Sequence, residues 1–125
     1  LVAQKLSAEF CFTERVMPAE GGGLYQARYL LPAAFQPRVL GRRIAIVDDV
    51  MSAGSALRGT YSELRSHGAE PVVAGALLQL GDVGEQFFAE QGVAVQAVAR
   101  DDYTLWRPEE CPHCEAGTSV EKPAG

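Results

Sequence analysis

Apolar positions in the second half of the chain alternate between strand-like and helix-like spacing. Three short apolar runs without alternation predict strands: 43–47, 72–78 and 93–99. The first of these, Arg43 to Val47, is typical of a strand that is buried on both faces. Apolar residues recur at helical spacing between the first two runs, at Leu57, Tyr61 and Leu64, before Gly68 ends the pattern. This order of strands and helices predicts a parallel α/β sheet.

The second helix of this series has its own start and stop signals. Asp82 followed by Glu85 resembles a capping box, in which each side chain satisfies a backbone N–H group of the first turn. Val83 and the Phe87–Phe88 pair supply an apolar face, and Gly92 predicts the end of the helix. The pattern therefore predicts a helix that packs against the sheet.

The first third of the chain predicts smaller elements. The expected order is a helix at 1–6, a strand at 9–13, a glycine-rich loop at 17–23, an edge strand at 24–31 and a turn at 37–41. Residues 1–107 are expected to form one domain, and residues 108–125 a cysteine-containing tail that is poor in apolar residues.

Composition narrows the class of protein. The 125 residues include 11 basic and 16 acidic side chains, and this net charge of −5 argues against a general nucleic-acid or membrane-surface binder. The sequence contains neither a bilayer-length apolar run nor a secretory signal, and its three cysteines are too few for a disulfide scaffold. A cytoplasmic location is the expectation.

The candidate chemistry lies where the first apolar run ends. Asp48 and Asp49 follow it, and the small-residue loop at 51–55 leads directly into a helix. The backbone N–H groups of such a helix start bind anions, and Ser52 and Ser55 add hydroxyl donors. A phosphate in the loop and sugar hydroxyls on the carboxylates describe a ribose 5-phosphate. Strand alternation lets only one of the two carboxylates face the sheet, unless the strand has already ended. The plain alternative is that the aspartates end a strand and Ser55 caps a helix.

This stretch resembles a known motif. Residues 44–56, IAIVDDVMSAGSA, are similar to the phosphoribosyl-diphosphate (PRPP) motif of the type I phosphoribosyltransferases, especially the orotate enzymes, where DDVITAGTA is common. Residues 12–15 and the glycines after them are similar to the family's strand and flexible catalytic loop. Residues 106–117 are similar to a Cys-Pro-x-Cys tail in one branch of orotate enzymes. The resemblance implies a Rossmann-like parallel-sheet core without the family's N-terminal hood and diphosphate-binding loop, which are expected to precede Leu1.

The resemblance also implies roles for residues. Asp48 and Asp49 would hold the ribose 2- and 3-hydroxyls, the loop at 52–55 the 5-phosphate, and Arg15 would be the catalytic cation. The implied PRPP-binding residues are Asp48, Asp49, Val50, Met51, Ser52, Ala53, Gly54, Ser55 and Ala56. Mg²⁺ would arrive with PRPP rather than in a protein-made cage. The implied reaction is displacement of diphosphate from the sugar by a nucleobase, most of all orotate in pyrimidine nucleotide synthesis, in a homodimer.

Departures from the family pattern keep a second function open. The mobile loop of the family is rich in lysine, whereas this region offers Arg15 with Arg28 beyond the glycines. Gln79 and Leu80 stand where the family tends to have an Asp-Arg pair whose arginine helps to bind orotate. The alternative is a non-catalytic PRPP- or nucleotide-sensing domain of the same fold.

Cys111 and Cys114 flank a Pro-His pair, and three interpretations apply. Redox chemistry needs a lowered thiol pKa, whereas the carboxylates of Glu109 and Glu110 predict a raised one. A zinc site needs further ligands, from Cys11 or from a second chain. The third interpretation is an idle turn, and the charges favour a structural or idle role over a redox one.

Overall fold

Five strands and five helices form the computed structural model, which describes residues 1–17, 27–102, 104 and 106–119. The strands are β1 (Glu14–Val16), β2 (Arg28–Leu30), β3 (Arg43–Met51), β4 (Glu70–Leu80) and β5 (Ala94–Asp101). The helices are α1 (Val2–Lys5), α2 (Gln36–Val39), α3 (Ser55–Ser66), α4 (Val83–Glu90) and α5 (Pro112–Glu115), with a 3₁₀ turn at Pro108–Glu110. In the part of the chain that the structure describes, no helix is long and apolar enough to cross a membrane.

The predicted parallel sheet is confirmed. Strands β3, β4 and β5 lie side by side in that order, and both pairs are parallel. The crossover helices α3 and α4 pack on one face and contact each other where the rings of Tyr61 and Phe88 meet edge to face at 5.9 Å. Phe88 is fully buried in this core. The core also contains Ile46, Leu57, Leu64, Ala74 and Val93.

The other face of the sheet is open, so the prediction of a first strand buried on both faces is wrong. Val47 is 52% exposed, Leu77 63% and Val98 82%. These three side chains follow strand alternation away from the helices, because both crossovers lie on the face of Ile46 and Ala74. An apolar run predicts a strand, but it does not say how many of its faces are covered.

Two of the smaller predicted elements are corrected. Residues 9–13 are not a strand; the ladder begins at Glu14 and pairs β1 with β2 in antiparallel register, Arg15 opposite Tyr29. Phe12 packs edge-on against Phe35 at 5.3 Å instead of joining a sheet. Residues 36–39 form a helical turn rather than an open one, since Pro37 is compatible with the first turn of a helix. The predicted loop at 17–23 lies, apart from Met17, outside the described residues. The predicted strand at 24–31 is described from residue 27 onward, and that part contains β2.

The β1–β2 hairpin is held against α3 by polar contacts and by close packing. The hydroxyls of Thr13 and Thr60 are 2.7 Å apart, and the Leu31 N–H donates to Glu63 Oε1 at 2.9 Å. The ring of Tyr29 covers Gly59 so closely that a Cβ there would lie 2.5 Å from the ring. These contacts fix the hairpin beside the start of α3.

We expect Glu63→Ala to lower the free energy of unfolding by about 1–3 kcal/mol, because it leaves the buried Leu31 N–H without an acceptor. Glu63→Gln keeps an amide oxygen in place and should cost clearly less. Urea unfolding checks both variants, with Ser62→Ala at the exposed neighbouring position as the control. Equal losses for Glu63→Ala and Glu63→Gln would contradict this role of the hydrogen bond.

Candidate functional site

A cavity of about 330 Å³ opens at the carboxyl end of β3. One wall comes from the β1–β2 hairpin, and the other from the end of β3, the loop after it and the first turn of α3. The lining residues are Arg15, Tyr29, Asp48, Val50, Ser52, Gly54, Ser55, Ala56 and Leu57. Ligands of open α/β sheets bind at this edge of the strands. The structure thus brings together most of the residues that the sequence analysis selected.

The loop from Ser52 to Gly54 presents a helix start without a side-chain cap. Gly54 is the N-cap of α3 and adopts φ +76°, a left-handed conformation that favours glycine. The first helical hydrogen bond runs from the Arg58 N–H to the Gly54 carbonyl at 2.8 Å, so the preceding N–H groups of the first turn have no helical acceptor. Neither serine hydroxyl of the loop region has a hydrogen-bond partner among the described residues. These donors can bind an anion.

The start of α4 supports the loop from behind. A Cβ on Gly54 would lie 3.3 Å from Gly84 Cα. A Cβ on Gly84 would lie 2.9 Å from the Met51 side chain and 3.0 Å from the Ser52 carbonyl oxygen. Met51 is 1% exposed and belongs to the core rather than to the cavity lining. Two glycines therefore allow the loop to pack directly on the next helix.

The adjacent carboxylates occupy different environments, because β3 continues through them to Met51. Asp48 is half-buried and lines the cavity, whereas Asp49 is exposed and outside the lining. Burial raises the pKa of Asp48, and the Asp49 carboxylate adds to the rise; the Asp49 N–H, donated to Asp48 Oδ1 at 3.0 Å, opposes it. Asp49 Oδ1 accepts from the Val50 N–H at 2.7 Å. Strand alternation thus selects Asp48 as the carboxylate of the cavity.

Tyr29 is a cavity residue that the sequence analysis missed. It lies opposite Arg15 in the hairpin, so both side chains point to the same side. Arg15 makes no ion pair with any residue that the structure describes, which leaves its guanidinium available to a ligand. The signal that could have found Tyr29 is the cross-strand register, but that register was hidden because the first strand was expected at 9–13. Ala53, by contrast, was selected by sequence and lies outside the lining.

The capping box predicted for α4 is not formed. Asp82 is the N-cap, but its side chain caps no backbone N–H. Glu85 instead accepts two hydrogen bonds from Arg100, at 2.6 and 3.2 Å, and one from Gln79 at 2.7 Å. These contacts lower the pKa of Glu85, with the hydrogen bonds from Arg100 as the main cause. Arg100 is therefore engaged by a carboxylate at the edge of β5.

Comparison with known proteins identifies proteins that are similar to this chain in sequence or in fold. No family model matches the chain. It is 28% identical to the orotate phosphoribosyltransferase of Thermotoga maritima over 98% of the chain and 58% of that protein. An adenine phosphoribosyltransferase from Mycobacteroides abscessus is 41% identical over 48% of the chain and 36% of that protein. The crystal structure of an adenine phosphoribosyltransferase from Leishmania tarentolae superimposes with a TM-score of 0.54 at 15% identity, over 83% of this chain and 59% of that one.

The chain is similar to the type I phosphoribosyltransferases in sequence and in fold. Its α/β fold is shared with them, as the resemblance of residues 44–56 implied. The chain spans 58% of the length of the Thermotoga maritima relative. In this phosphoribosyltransferase fold, the cavity at the end of β3 contains the residues of the resembling motif, together with Arg15 and Tyr29 from the hairpin.

We expect Gly84→Ala to distort the loop and to destabilise the fold, although alanine ordinarily stabilises a helix by about 1 kcal/mol relative to glycine. The added methyl group meets Met51 and the Ser52 backbone, and overpacking of this kind costs about 1–3 kcal/mol. Urea unfolding measures the loss in the free energy of unfolding. Calorimetry with inorganic phosphate measures whether the loop still binds an anion. Gly75→Ala is the matched control, since its Cβ would meet nothing closer than 3.4 Å. An unfolding free energy of Gly84→Ala equal to or above that of the wild type would contradict the packing argument.

The raised pKa of Asp48 has a consequence for stability. A group whose pKa is raised on folding binds its proton more tightly in the native state, so stability falls as pH rises through the two pKa values. Asp48→Asn removes the buried charge, and we expect it to raise the unfolding free energy near neutral pH and to flatten the profile in the acid range. Thermal unfolding between about pH 3 and pH 7 checks this. Asp49→Asn, at an exposed position, should change the profile less.

Proposed function

We propose that this chain binds PRPP and contributes to phosphoribosyl transfer onto a nucleobase, with orotate as the acceptor. The observation that carries this proposal is the composition of one cavity. The cavity of about 330 Å³ is lined by an uncapped helix start, by the Asp48 carboxylate and by the Arg15 guanidinium. Ligand pockets of about 300–1,000 Å³ are typical for small molecules, so a sugar phosphate fits the space.

Each part of PRPP has a matching group. The 5-phosphate accepts hydrogen bonds from the N–H groups of the loop at 52–55 and from the hydroxyls of Ser52 and Ser55. The sugar hydroxyls donate to Asp48. Asp49 contributes from outside the lining, because its backbone N–H holds the Asp48 carboxylate in place. The guanidinium of Arg15 faces the diphosphate, for which its planar set of donors is suited.

The reaction develops charge of both signs. The bond from the anomeric carbon to the diphosphate breaks as a base nitrogen bonds to that carbon, so the sugar becomes cation-like and the leaving group gains negative charge. Asp48 stabilises the positive sugar, and Arg15 stabilises the departing diphosphate. PRPP enters as its Mg²⁺ complex. No three metal-binding side chains converge anywhere in residues 1–17, 27–102, 104 and 106–119, and a cation carried by the substrate fits a site with a single lining carboxylate.

The choice of orotate rests on the curated relatives. The orotate phosphoribosyltransferase of Thermotoga maritima aligns with 98% of the chain, whereas the adenine enzyme of Mycobacteroides abscessus aligns with 48%. We include a homodimer in the proposal, as the resemblance implies.

A non-catalytic PRPP-sensing domain is the second candidate function. It is favoured by Gln79 and Leu80 in place of the Asp-Arg pair that the orotate enzymes tend to have. Gln79 is neutral, so it supplies no cation to the orotate carboxylate. Its side chain is also buried and hydrogen-bonded to Glu85 and to the Gly81 carbonyl. Arg100, which lies opposite Gln79 on β5, is paired with Glu85.

Calorimetry with PRPP and Mg²⁺ tests the binding site that both candidates share. We expect the double variant Asp48→Asn, Asp49→Asn to bind PRPP markedly more weakly than the wild type. Arg15→Ala should lose about ten- to a hundredfold in affinity, which corresponds to a charge-assisted contact of about 1.5–3 kcal/mol. Arg28→Ala is the matched control, because Arg28 pairs with Val16 on the other side of the hairpin and does not line the cavity.

Turnover separates the two candidates. Conversion of orotate and PRPP to orotidine monophosphate by the wild-type chain supports the enzyme, and PRPP binding without turnover supports the sensing domain. Unchanged PRPP affinity in the double aspartate variant, or equal losses for Arg15→Ala and Arg28→Ala, would contradict the assignment of the cavity.

A further inference from the structure

The segment that carries Cys111 and Cys114 is a folded turn rather than a loose tail. The 3₁₀ turn at 108–110 leads into α5, whose bonds include Glu115 N–H to the Cys111 carbonyl at 3.0 Å. The turn closes with the Thr118 N–H donating to the His113 carbonyl at 2.9 Å. The rings of Trp106 and His113 contact each other edge to face at 6.1 Å. The two cysteines are therefore held in a defined geometry.

The spacing of the two cysteines on this turn suits a disulfide. Cys111 is the N-cap of α5 and Cys114 is its third residue, and residues three apart along a helical turn share a face. In helix geometry their Cα atoms are about 5 Å apart, within the range that a disulfide spans. Cys111 is half-buried and Cys114 is exposed. A small molecule in solution can therefore reach the pair.

The pKa values of the two thiols are shifted in opposite directions. The pKa of Cys111 is lowered, first by the backbone N–H of Cys114 and further by the Cys114 thiol and the His113 N–H, whereas the pKa of Cys114 is raised by its bond to Cys111. The prediction that the neighbouring glutamates raise the pKa of Cys111 is wrong. Glu109 and Glu110 are exposed, so water and salt screen their charges.

We propose that Cys111 and Cys114 are a redox pair that forms a reversible disulfide by exchange with low-molecular-weight disulfides. The Cys111 thiolate attacks one sulfur of the small disulfide, whose S–S bond breaks and releases one small thiolate. Cys114 then loses its proton to solvent and attacks the Cys111 sulfur of the mixed disulfide, which releases the second small thiol. One disulfide is consumed and one is formed, so no other oxidant is needed. A thioredoxin-like fold is not required, because the exchange partner is small and the pair is accessible.

The third cysteine provides a control within the chain. Cys11 packs against the core, and burial raises its pKa. It is not part of any group of three metal-binding side chains in the described residues, and neither are Cys111 and Cys114. Cys11 therefore reports how an ordinary shielded thiol of this protein reacts under the same conditions.

The full chain is incubated with glutathione disulfide at about pH 7, and intact-mass spectrometry follows the products. We expect the wild type to lose the mass of two hydrogen atoms and to regain it with a reducing thiol. Cys114→Ser should stop at one glutathionyl group on Cys111, because the second thiol is missing. Cys111→Ser should react more slowly than Cys114→Ser, because the pKa of the remaining Cys114 thiol is raised and less of it is thiolate near neutral pH. Cys11→Ser should behave as the wild type.

Two results would overturn the proposal. One is alkylation of Cys111 no faster than that of Cys11 in the reduced wild type, mapped by peptide mass spectrometry. The other is zinc bound to protein purified without chelator, with Cys111 and Cys114 inert toward glutathione disulfide until the metal is removed. Because Cys111 and Cys114 lie in the 106–118 turn and outside the cavity lining, thermal unfolding of their serine variants shows separately whether the domain has folded.

Discussion

The contact between Gly54 and Gly84 holds the candidate site together. The loop after β3 can turn into α3 only because Gly54 adopts a left-handed conformation, and it keeps that shape because α4 lies directly behind it. Met51 fills the space beneath both glycines and joins the loop to the core. The position of the N–H groups at the start of α3 thus depends on the packing of two helices, and not on the loop alone.

Strand alternation is the second constraint on the chemistry. Two adjacent carboxylates would act as an equal pair only if both faced the ligand. Because β3 continues through both residues, their side chains point to opposite faces of the strand. The Asp48 side chain is partly buried and accepts a hydrogen bond from the Asp49 N–H, while the Asp49 side chain is exposed to solvent. One backbone conformation therefore gives two identical side chains different protonation behaviour and different access to a ligand.

The sequence predicts the central sheet well, because its strands and helices are marked by local patterns. The apolar run at 43–47 and the helical spacing of Leu57 and Leu64 depend only on near neighbours. The misses concern contacts between distant residues. The hairpin register that joins Arg15 to Tyr29 leaves no periodic trace. Likewise, the open face around Leu77 reflects where the helices cross, which apolar content alone does not record.

The place of β4 between β3 and β5 has a consequence for the order of assembly during synthesis. The loop at 52–54 leaves the ribosome before the strand that pairs with β3, and before the glycine that supports the loop from behind. Until β4 has docked and α4 has turned back, the loop has no backing surface. The candidate site is therefore completed late in folding, although its residues lie near the middle of the chain, because Gly84 and Phe88 must first reach the core.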